Sequence, residues 1–432
     1  MKILVKNATL VYPGAFDLKD EEKHGLVKQG DLYIEDGLFT KSFDIDSDVQ
    51  VIDATNLHVF PGLIDAHTHL REPGFEYKED IRSGTRSAAR GGFTSIMCMP
   101  NTNPVADNAA VIKFVIERAE ETGVVNVFPI GAVSKGLKGE ELAEIGLMKE
   151  AGAVAISDDG APIATAELLR LSLEYAADFD IPVINHCEDR SISKGGIMNE
   201  GYNSTMMGIE GSPSAAEDIM VARDIIVAEY LGLPVHIAHV SSKGAVELIR
   251  QAKRRGVRVT AETCPQYFVL TDDACLGYNT YAKAYPPMRR PEDIEAIIEG
   301  LKDGTLDLIA TDHAPHHEDE KDVEFRLAAN GMTGFETSFA LSYTYLVKPG
   351  HLTLADLARV MSLAPSNIFK LGRGSFDVGK PADLTFIDLD REVVVDRFKM
   401  HSKAINTPFH GYRLDSDVVL TLVAGKEAYR ED

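Results

Sequence analysis

The middle of the chain alternates short apolar runs with longer amphipathic stretches, and this alternation is the strongest constraint on the fold. The apolar runs lie at 63–69, 93–98, 125–132, 153–157, 182–186, 234–239, 257–262 and 307–311. Most of them precede a stretch with helical periodicity, such as AAVIKFVIERAEETG or SAAEDIMVARDIIVAEYLG, and these two stretches end at glycine, as helices commonly do. Eight strands that alternate with helices predict a (β/α)8 TIM barrel in the α/β class.

The two ends of the chain have a different pattern. Segments such as KILVKNATLVY near the start and SDVVLTLVAGKEAY near the end read as strands separated by glycine and aspartate turns. We therefore expect residues 1–61 and 375–432 to fold together as a small composite β-sandwich domain. Residues 62–374 would then form the barrel and hold the catalytic site.

The composition favours an enzyme that acts on a small molecule. Asp and Glu number 67 against 44 Lys and Arg, a net charge of −23, which argues against binding to nucleic acid or to an anionic membrane. The chain opens without a leader-like segment and has no apolar run long enough to span a bilayer, so we expect a cytoplasmic protein. Cys98, Cys187, Cys264 and Cys275 show no C-x-x-C spacing and are expected to be free thiols.

The first barrel run continues into DAHTHLREPG, where His67, His69 and Arg71 stand at alternate positions. Alternate residues of an extended strand share a face, so the three side chains would project together. An isolated His-x-His could equally be a polar strand end exposed to solvent. The alternative is a pair of metal ligands followed by a guanidinium that holds an anionic substrate.

Other predicted strands also end in potential metal ligands, which favours the functional reading. Four histidines and two aspartates lie at the C-terminal ends of these runs: His67, His69, Asp158, His186, His239 and Asp312. Imidazole and carboxylate groups are the ligands that zinc prefers, and six exceed the need of one catalytic zinc ion. The set therefore predicts a centre with two metal ions joined by a bridging carboxylate.

Several stretches of the chain resemble the amidohydrolase superfamily and, within it, the dihydroorotases of the bacterial type I class. The similar stretches are GLIDAHTHLREPG, GGFTSIMCMPNTNPVADN, AVAISDDGAPI, HCEDRSISKGGIMNEG, IAHVSSKGAVELIRQAK, TDHAPHHEDEK, GMTGFETSF and SKAINTPFHGY. They extend over almost the whole chain. A His-x-His motif with a late aspartate would indicate only the superfamily, whereas the combination of these stretches is specific for the dihydroorotases.

The resemblance implies two Zn²⁺ ions per subunit, or another divalent ion in their place. It implies His67, His69 and Asp312 as ligands of one ion, His186 and His239 as ligands of the other, and Asp158 as the bridge. Some relatives use a carboxylated lysine as the bridge, but AVAISDDGAPI contains no lysine. The neighbouring Asp159 is expected to be structural.

The resemblance also implies the reaction, which is the reversible cyclisation of N-carbamoyl-L-aspartate to (S)-dihydroorotate in pyrimidine (UMP) biosynthesis. A hydroxide would attack the ring amide, and Asp312 would act as general base and then as general acid. The implied contacts with the substrate are His69, Arg71, Asn101, His316, the backbone of Asn330 and Gly331, and Tyr285. The implied partners are a second copy of the chain in a homodimer and an aspartate carbamoyltransferase.

Two departures keep other functions open. Tyr285 precedes a Pro-Pro pair where these dihydroorotases usually have an asparagine that contacts the substrate, and AETCPQYF is more similar to hydantoinases and allantoinases. One alternative is therefore a cyclic amidohydrolase with another ring amide as substrate, such as a hydantoinase, dihydropyrimidinase or allantoinase. The other is a non-catalytic barrel that supports aspartate carbamoyltransferase, although such a chain should have lost metal ligands.

Overall fold

The N-terminal segment forms strands that lie outside the barrel. The structure is a computed structural model that describes residues 1–45 and 48–431. Its first elements are β1 (Lys2–Val11), α1 (Asp20–His24), β2 (Val27–Glu35), β3 (Leu38–Thr40), β4 (Val49–Asp53) and β5 (His58–Pro61). β1 pairs antiparallel with β2 and parallel with both β4 and β5.

Eight parallel strands then form the barrel. They are β6 (Leu63–Thr68), β7 (Phe93–Cys98), β8 (Asn126–Gly131), β9 (Ala155–Ser157), β10 (Val183–Asn185), β13 (Val235–Ile237), β14 (Val259–Thr263) and β15 (Leu308–Ile309). Each falls within or next to a predicted run. The last strand meets the first through a bridge between Thr68 and His313 and through the Thr311 amide, which donates to Asp65 Oδ1 at 3.1 Å.

A helix follows each barrel strand and covers the outside of the barrel. These helices are α2 (Ile81–Arg90), α3 (Ala109–Thr122), α4 (Ile145–Ala151), α5 (Ala166–Asp178), α8 (Ala215–Leu231), α9 (Lys243–Arg254), α11 (Pro291–Asp303) and α13 (Phe335–Ser342). The two helices predicted from periodicity end at glycine as expected, α3 at Gly123 and α8 at Gly232, whose φ of +67° favours glycine. Asn108 caps the start of α3.

The connections between the barrel strands and helices, and the segment after the barrel, contain short helices and strands. They are α6 (Arg190–Ser193), β11 (Met198–Asn199), α7 (Tyr202–Met207), β12 (Gly211–Ser212), α10 (Pro265–Val269), α12 (Glu318–Lys321), α14 (Leu354–Ala358) and α15 (Ala364–Ile368). 3₁₀ turns lie at Lys135–Leu137, Asp272–Cys275, Thr280–Ala282 and Arg397–Lys399, and π turns lie at Tyr343–Val347 and Arg359–Leu363.

The C-terminal segment completes the sheet that the N-terminal segment begins. Its strands are β16 (Leu384–Val394), β17 (Arg413–Val423) and β18 (Lys426–Arg430). β16 pairs antiparallel with β5, so the two ends of the chain form one eight-stranded sheet around its own apolar cluster. The predicted barrel and the predicted union of the two ends are confirmed, whereas the domain boundaries at 61/62 and 374/375 stay a prediction.

The first two barrel strands are buried on both faces. Every residue of β6 and β7 is buried, as expected for parallel strands between a packed interior and a layer of helices. Among the described residues, no helix is both long enough and apolar enough to cross a membrane.

Candidate metal centre and active site

Histidines and aspartates meet at the C-terminal end of the barrel, where barrel enzymes hold their active sites. His67 is in β6, and the other members of the group lie one to three residues beyond their strands. The group consists of His67, His69, Asp159, His186, His239 and Asp312, and all six side chains are buried.

The first half of the group lies around β6. Nε2 of His69 is 3.0 Å from Oδ1 of Asp312, and Nε2 of His67 is 3.6 Å from the same oxygen. The ligand atoms of His67, His69 and Asp312 all lie within 4.8 Å of one another. These three residues could therefore hold one metal ion, and they are the set that the family resemblance implies.

The second half lies across the barrel, just beyond the ends of β9, β10 and β13. Nδ1 of His186 is 2.8 Å from Nε2 of His239. Oδ1 of Asp159 lies 3.2 Å from Nε2 of His239 and 3.5 Å from Nδ1 of His186. Its other oxygen, Oδ2, lies 3.3 Å from Nε2 of His67 and 3.6 Å from Nε2 of His69. The carboxylate of Asp159 thus faces one pair of histidines with each oxygen.

The structure contradicts the prediction that Asp158 is the bridge. Oδ1 of Asp158 accepts hydrogen bonds from the amides of Val133 and Ser134 at 2.9 Å each, and Oδ2 accepts from the Ser134 hydroxyl. Both oxygens of this side chain are therefore hydrogen-bonded to the loop after β8 and not directed at the histidines. Strand β9 ends at Ser157, and the chain turns so that the second aspartate, Asp159, enters the centre.

The donor atoms fit divalent metal ions. In the described part of the chain, Nε2 of His67 has no hydrogen-bond partner although it is buried among carboxylates. Burial raises the pKa of Asp159, but the histidines around it outweigh this and hold the pKa well below its usual range, so the carboxylate is ionised. Converging imidazole nitrogens and an ionised carboxylate are the ligand set of zinc and similar ions.

Glu262 is a functional residue that the sequence analysis missed. It lies in β14, and its Oε1 accepts a hydrogen bond from Nδ1 of His67 at 2.6 Å. Its Oε2 contacts Nε2 of His236 at 3.1 Å, and Oε1 also accepts from the His239 amide at 3.3 Å. The bond to Nδ1 leaves Nε2 of His67 free to face a metal ion. A glutamate at the end of an apolar strand was the available signal.

A cavity of about 170 Å³ opens above the metal ligands. Five of the six candidate metal ligands line it, all except His67. The other lining residues include those predicted to bind substrate, which are Arg71, Asn101, Tyr285, His316, Asn330 and Gly331. Asn101 Oδ1 lies 3.0 Å from Nδ1 of His69, and Arg71 donates from Nε to the Pro315 carbonyl at 3.1 Å. The structure thus places the Arg71 guanidinium and the candidate metal ligands in one cavity.

His316 is held in its neutral form. Burial, together with the cations of Arg71 and Lys78, lowers the pKa of His316 to about 2. Its Nε2 contacts the Asn330 carbonyl at 2.8 Å and lies 3.2 Å from the guanidinium of Arg71. A neutral imidazole there leaves Arg71 as the main positive charge facing the cavity.

Tyr285 forms a wall of the cavity. Its ring stacks on the His186 ring with 5.9 Å between centroids and 13° between planes, and its hydroxyl donates to the carboxylate of Glu188. Burial, followed by the bond to Glu188, raises the pKa of Tyr285 to about 12, so the phenol stays protonated. The hydroxyl of Tyr285 is already engaged by the protein.

A (β/α)8 barrel that gathers histidines and carboxylates at its strand ends defines a metal-dependent hydrolase of the amidohydrolase type. The dihydro-orotase-like family profile matches residues 57–245. A dihydroorotase from Acetivibrio thermocellus is 60% identical over 93% of this chain and 95% of its own length, and one from Ruminiclostridium cellulolyticum is 55% identical over 100% and 99%. An L-hydantoinase (dihydropyrimidinase) structure from Arthrobacter aurescens superposes with a TM-score of 0.87 at 26% identity, over 99% and 96% of the two chains.

The similarities to the two dihydroorotases and to the L-hydantoinase extend over nearly the full length of both chains. The chain belongs to the dihydroorotase family. It is therefore a hydrolase whose substrate is a small molecule, and the resemblance found in its motifs is confirmed.

Proposed function

We propose that this protein is a dihydroorotase, which catalyses the reversible cyclisation of N-carbamoyl-L-aspartate to (S)-dihydroorotate and water in UMP biosynthesis. The observation that carries the proposal is the cavity itself, in which the guanidinium of Arg71 faces the cluster of histidines and aspartates. The dihydroorotases from Acetivibrio thermocellus and Ruminiclostridium cellulolyticum support the same reaction.

The ligand positions favour two Zn²⁺ ions, with other divalent ions as possible substitutes. His67, His69 and Asp312 would hold one ion, His186 and His239 the other, and Asp159 would bridge them. When bound, such ions lower the pKa of a water molecule toward neutrality and polarise the amide carbonyl. Glu262 would orient His67 for this role through the bond to Nδ1.

Asp312 would move the proton. Its carboxylate lies at the floor of the cavity, fixed by Nε2 of His69 at 3.0 Å. In hydrolysis it accepts the proton of the attacking water and delivers it to the ring nitrogen as the C–N bond breaks. In cyclisation it accepts the proton of the carbamoyl nitrogen as that bond forms, and returns it to the departing oxygen as water.

The substrate carboxylate would bind at the other side of the cavity. Arg71 offers a planar guanidinium that can donate two parallel hydrogen bonds to a carboxylate, and Asn101 lines the same cavity. Neutral His316 and the backbone of Asn330 and Gly331 would complete the contacts with the ring. His69 would touch both the metal and the substrate.

One observation favours a second candidate, a hydrolase of a different ring amide. Tyr285 fills the wall over His186, and its hydroxyl is bonded to Glu188 instead of being offered to the ring. A hydantoinase, dihydropyrimidinase or allantoinase would not need the carboxylate contact of Arg71. The presence of Arg71 in the cavity therefore favours dihydroorotate over these neutral rings.

The cellular setting is also part of the proposal. A cytoplasmic homodimer, with aspartate carbamoyltransferase as a partner, is what the resemblance implies. All four cysteines are buried free thiols, which agrees with a reducing compartment.

The test is a comparison of substrates on zinc-loaded protein by absorbance, with dihydroorotate, hydantoin, dihydrouracil and allantoin under identical conditions. We expect turnover of dihydroorotate, and we expect Arg71→Lys to raise its KM by about 10- to 100-fold, the effect of losing a charge-assisted bond of ~1.5–3 kcal/mol. Turnover of a neutral ring with dihydroorotate inert would instead establish the second candidate. Absence of bound metal and of all turnover would favour a non-catalytic barrel.

A further inference from the structure

The segment 325–331 brings Asn330 and Gly331 to the cavity, yet it contains neither helix nor strand. It lies between α12 and α13. A segment without a hydrogen-bonded ladder needs other partners for its carbonyl groups. Two lysines, Lys283 and Lys321, supply them.

The two ammonium groups hold five of the seven carbonyls in this segment. Nζ of Lys283 donates to the carbonyls of Phe325, Arg326 and Ala328 at 2.8, 3.1 and 2.6 Å. Nζ of Lys321 donates to the carbonyls of Ala329 and Gly331 at 2.8 and 3.0 Å. An ammonium has three donors, so Lys283 uses its full capacity on this segment.

Burial makes these two lysines costly, which argues that they have a role. Lys321 is 0% exposed and Lys283 is 2% exposed, and neither pairs with a carboxylate in the portion of the chain that the structure describes. Burial, together with the nearby ammonium group of Lys283, lowers the pKa of Lys321 to about 7. Unpaired buried cations are rare because removal from water is unfavourable. The hydrogen bonds to the carbonyl groups compensate for the loss of hydration of the two lysines.

The same segment is tied to the cavity at its far end. The Gly331 amide donates to the Lys283 carbonyl at 2.8 Å, and the Gly331 carbonyl also accepts from Nδ2 of Asn406 at 3.1 Å. Gly331 has a φ of +118°, and a Cβ there would lie 2.5 Å from the Ala314 side chain. The position of the cavity wall is thus set by bonds that converge on Gly331.

We propose that Lys283 and Lys321 are positioning residues that clamp the segment 325–331 from below and so fix the part of the active-site wall formed by Asn330 and Gly331. The clamp acts on the binding of substrate and not on the metal centre, since neither lysine contacts a metal ligand. The effect of the clamp on substrate binding rests on the proposed function, whereas its effect on the order of the segment 325–331 does not.

The test replaces each lysine by methionine, an unbranched side chain that is one atom shorter and lacks the donors. Lys426→Met is the matched control, because Lys426 is exposed in β18. Lys283→Met keeps the main-chain bond from Gly331, so it isolates the ammonium. Hydrogen exchange of metal-loaded protein is followed at the amides of 325–331, together with metal content, KM and kcat.

We expect exchange in 325–331 to accelerate by about tenfold or more in both variants, with the barrel strands unchanged. We expect KM to rise by about tenfold or more while kcat falls less and metal content stays at the parent level. If a methionine variant fails to fold, Lys321→Gln and Lys283→Gln keep an amide donor and should give smaller shifts in the same direction.

Unchanged exchange in the segment would overturn the clamp, as would loss of metal or uniform acceleration throughout the barrel. Faster exchange with an unchanged KM would overturn its link to substrate binding. If the parent protein proves inactive on dihydroorotate, the exchange measurement still decides whether the lysines hold the segment.

Discussion

At the scale of single residues, two adjacent aspartates have opposite roles. Asp159 presents its two oxygens to two pairs of histidines, while Asp158 accepts bonds from the loop after β8. The backbone past β9 sends neighbouring side chains to different places. Chemically identical residues at consecutive positions therefore provide a direct experiment.

Asp159→Asn and Asp158→Asn form a matched pair. We expect Asp159→Asn to lower metal content and to reduce kcat. Loss of a group that only hydrogen-bonds to a metal ligand costs roughly 10- to 100-fold in activity, so loss of a ligand itself should cost at least as much. Asp158→Asn should keep its metal and destabilise the fold by about 1–3 kcal/mol, because a buried bond is weakened. Metal analysis, kcat and urea unfolding check both variants, and the reverse pattern would restore Asp158 as the bridge.

At the scale of elements, Glu262 joins three strands across the barrel interior. It lies in β14 and contacts His67 of β6, His236 of β13 and the amide of His239. Burial raises the pKa of Glu262, but the histidines lower it below its usual value, so it remains an anion. This anion fixes the ring of His67 with Nδ1 as donor.

Glu262→Gln should weaken metal binding by about 10- to 100-fold, because the amide is a poorer partner for the imidazole N–H. Competition with a zinc chelator measures the affinity. Asp356→Asn is the control, since Asp356 is also buried but bonds to Thr353 at the start of α14 and pairs with Lys23. Equal metal affinity in Glu262→Gln and in the parent would remove Glu262 from the centre.

At the scale of the whole molecule, the metal centre connects residues that are distant in sequence. Its proposed ligands come from or follow β6, β9, β10, β13 and β15, so they lie on most of the circumference of the barrel. Where β15 meets β6, the backbone is joined by an isolated bridge between Thr68 and His313. His67, His69 and Asp312 flank this seam.

Removal of metal should therefore lower the thermal stability of the entire barrel. An ion present at one hundred times its Kd stabilises the folded state by about 2.7 kcal/mol. With an unfolding entropy of roughly 0.9 kcal/mol/K for 432 residues, each bound ion should raise Tm by about 3 °C. Scanning calorimetry with a chelator and then with zinc restored measures this shift, and a Tm indifferent to the chelator would contradict it.

The sequence by itself determined the barrel, the joined ends and most of the residues that meet at the candidate site. Alternating apolar runs and helical stretches are local patterns, and the period of two in a strand predicted that His67, His69 and Arg71 share one side. Strand β6 ends at Thr68 and Arg71 has a φ of +64°, so Arg71 reaches the cavity through the turn after the strand and not through the strand period. The C-terminal ends of parallel strands share one rim, so His186, His239 and Asp312 could be gathered without coordinates.

Only the tertiary structure decided between Asp158 and Asp159, and only it revealed Glu262 and the two buried lysines. Past the last residue of β9 the strand period no longer applies, so sequence position does not tell which aspartate faces the centre. No sequence pattern distinguishes Lys283 and Lys321 from other lysines, because their acceptors are carbonyl groups of a segment without regular structure. The direction of a side chain beyond a strand and the position of a backbone carbonyl depend on the packed chain, and neither leaves a periodic signal in the sequence.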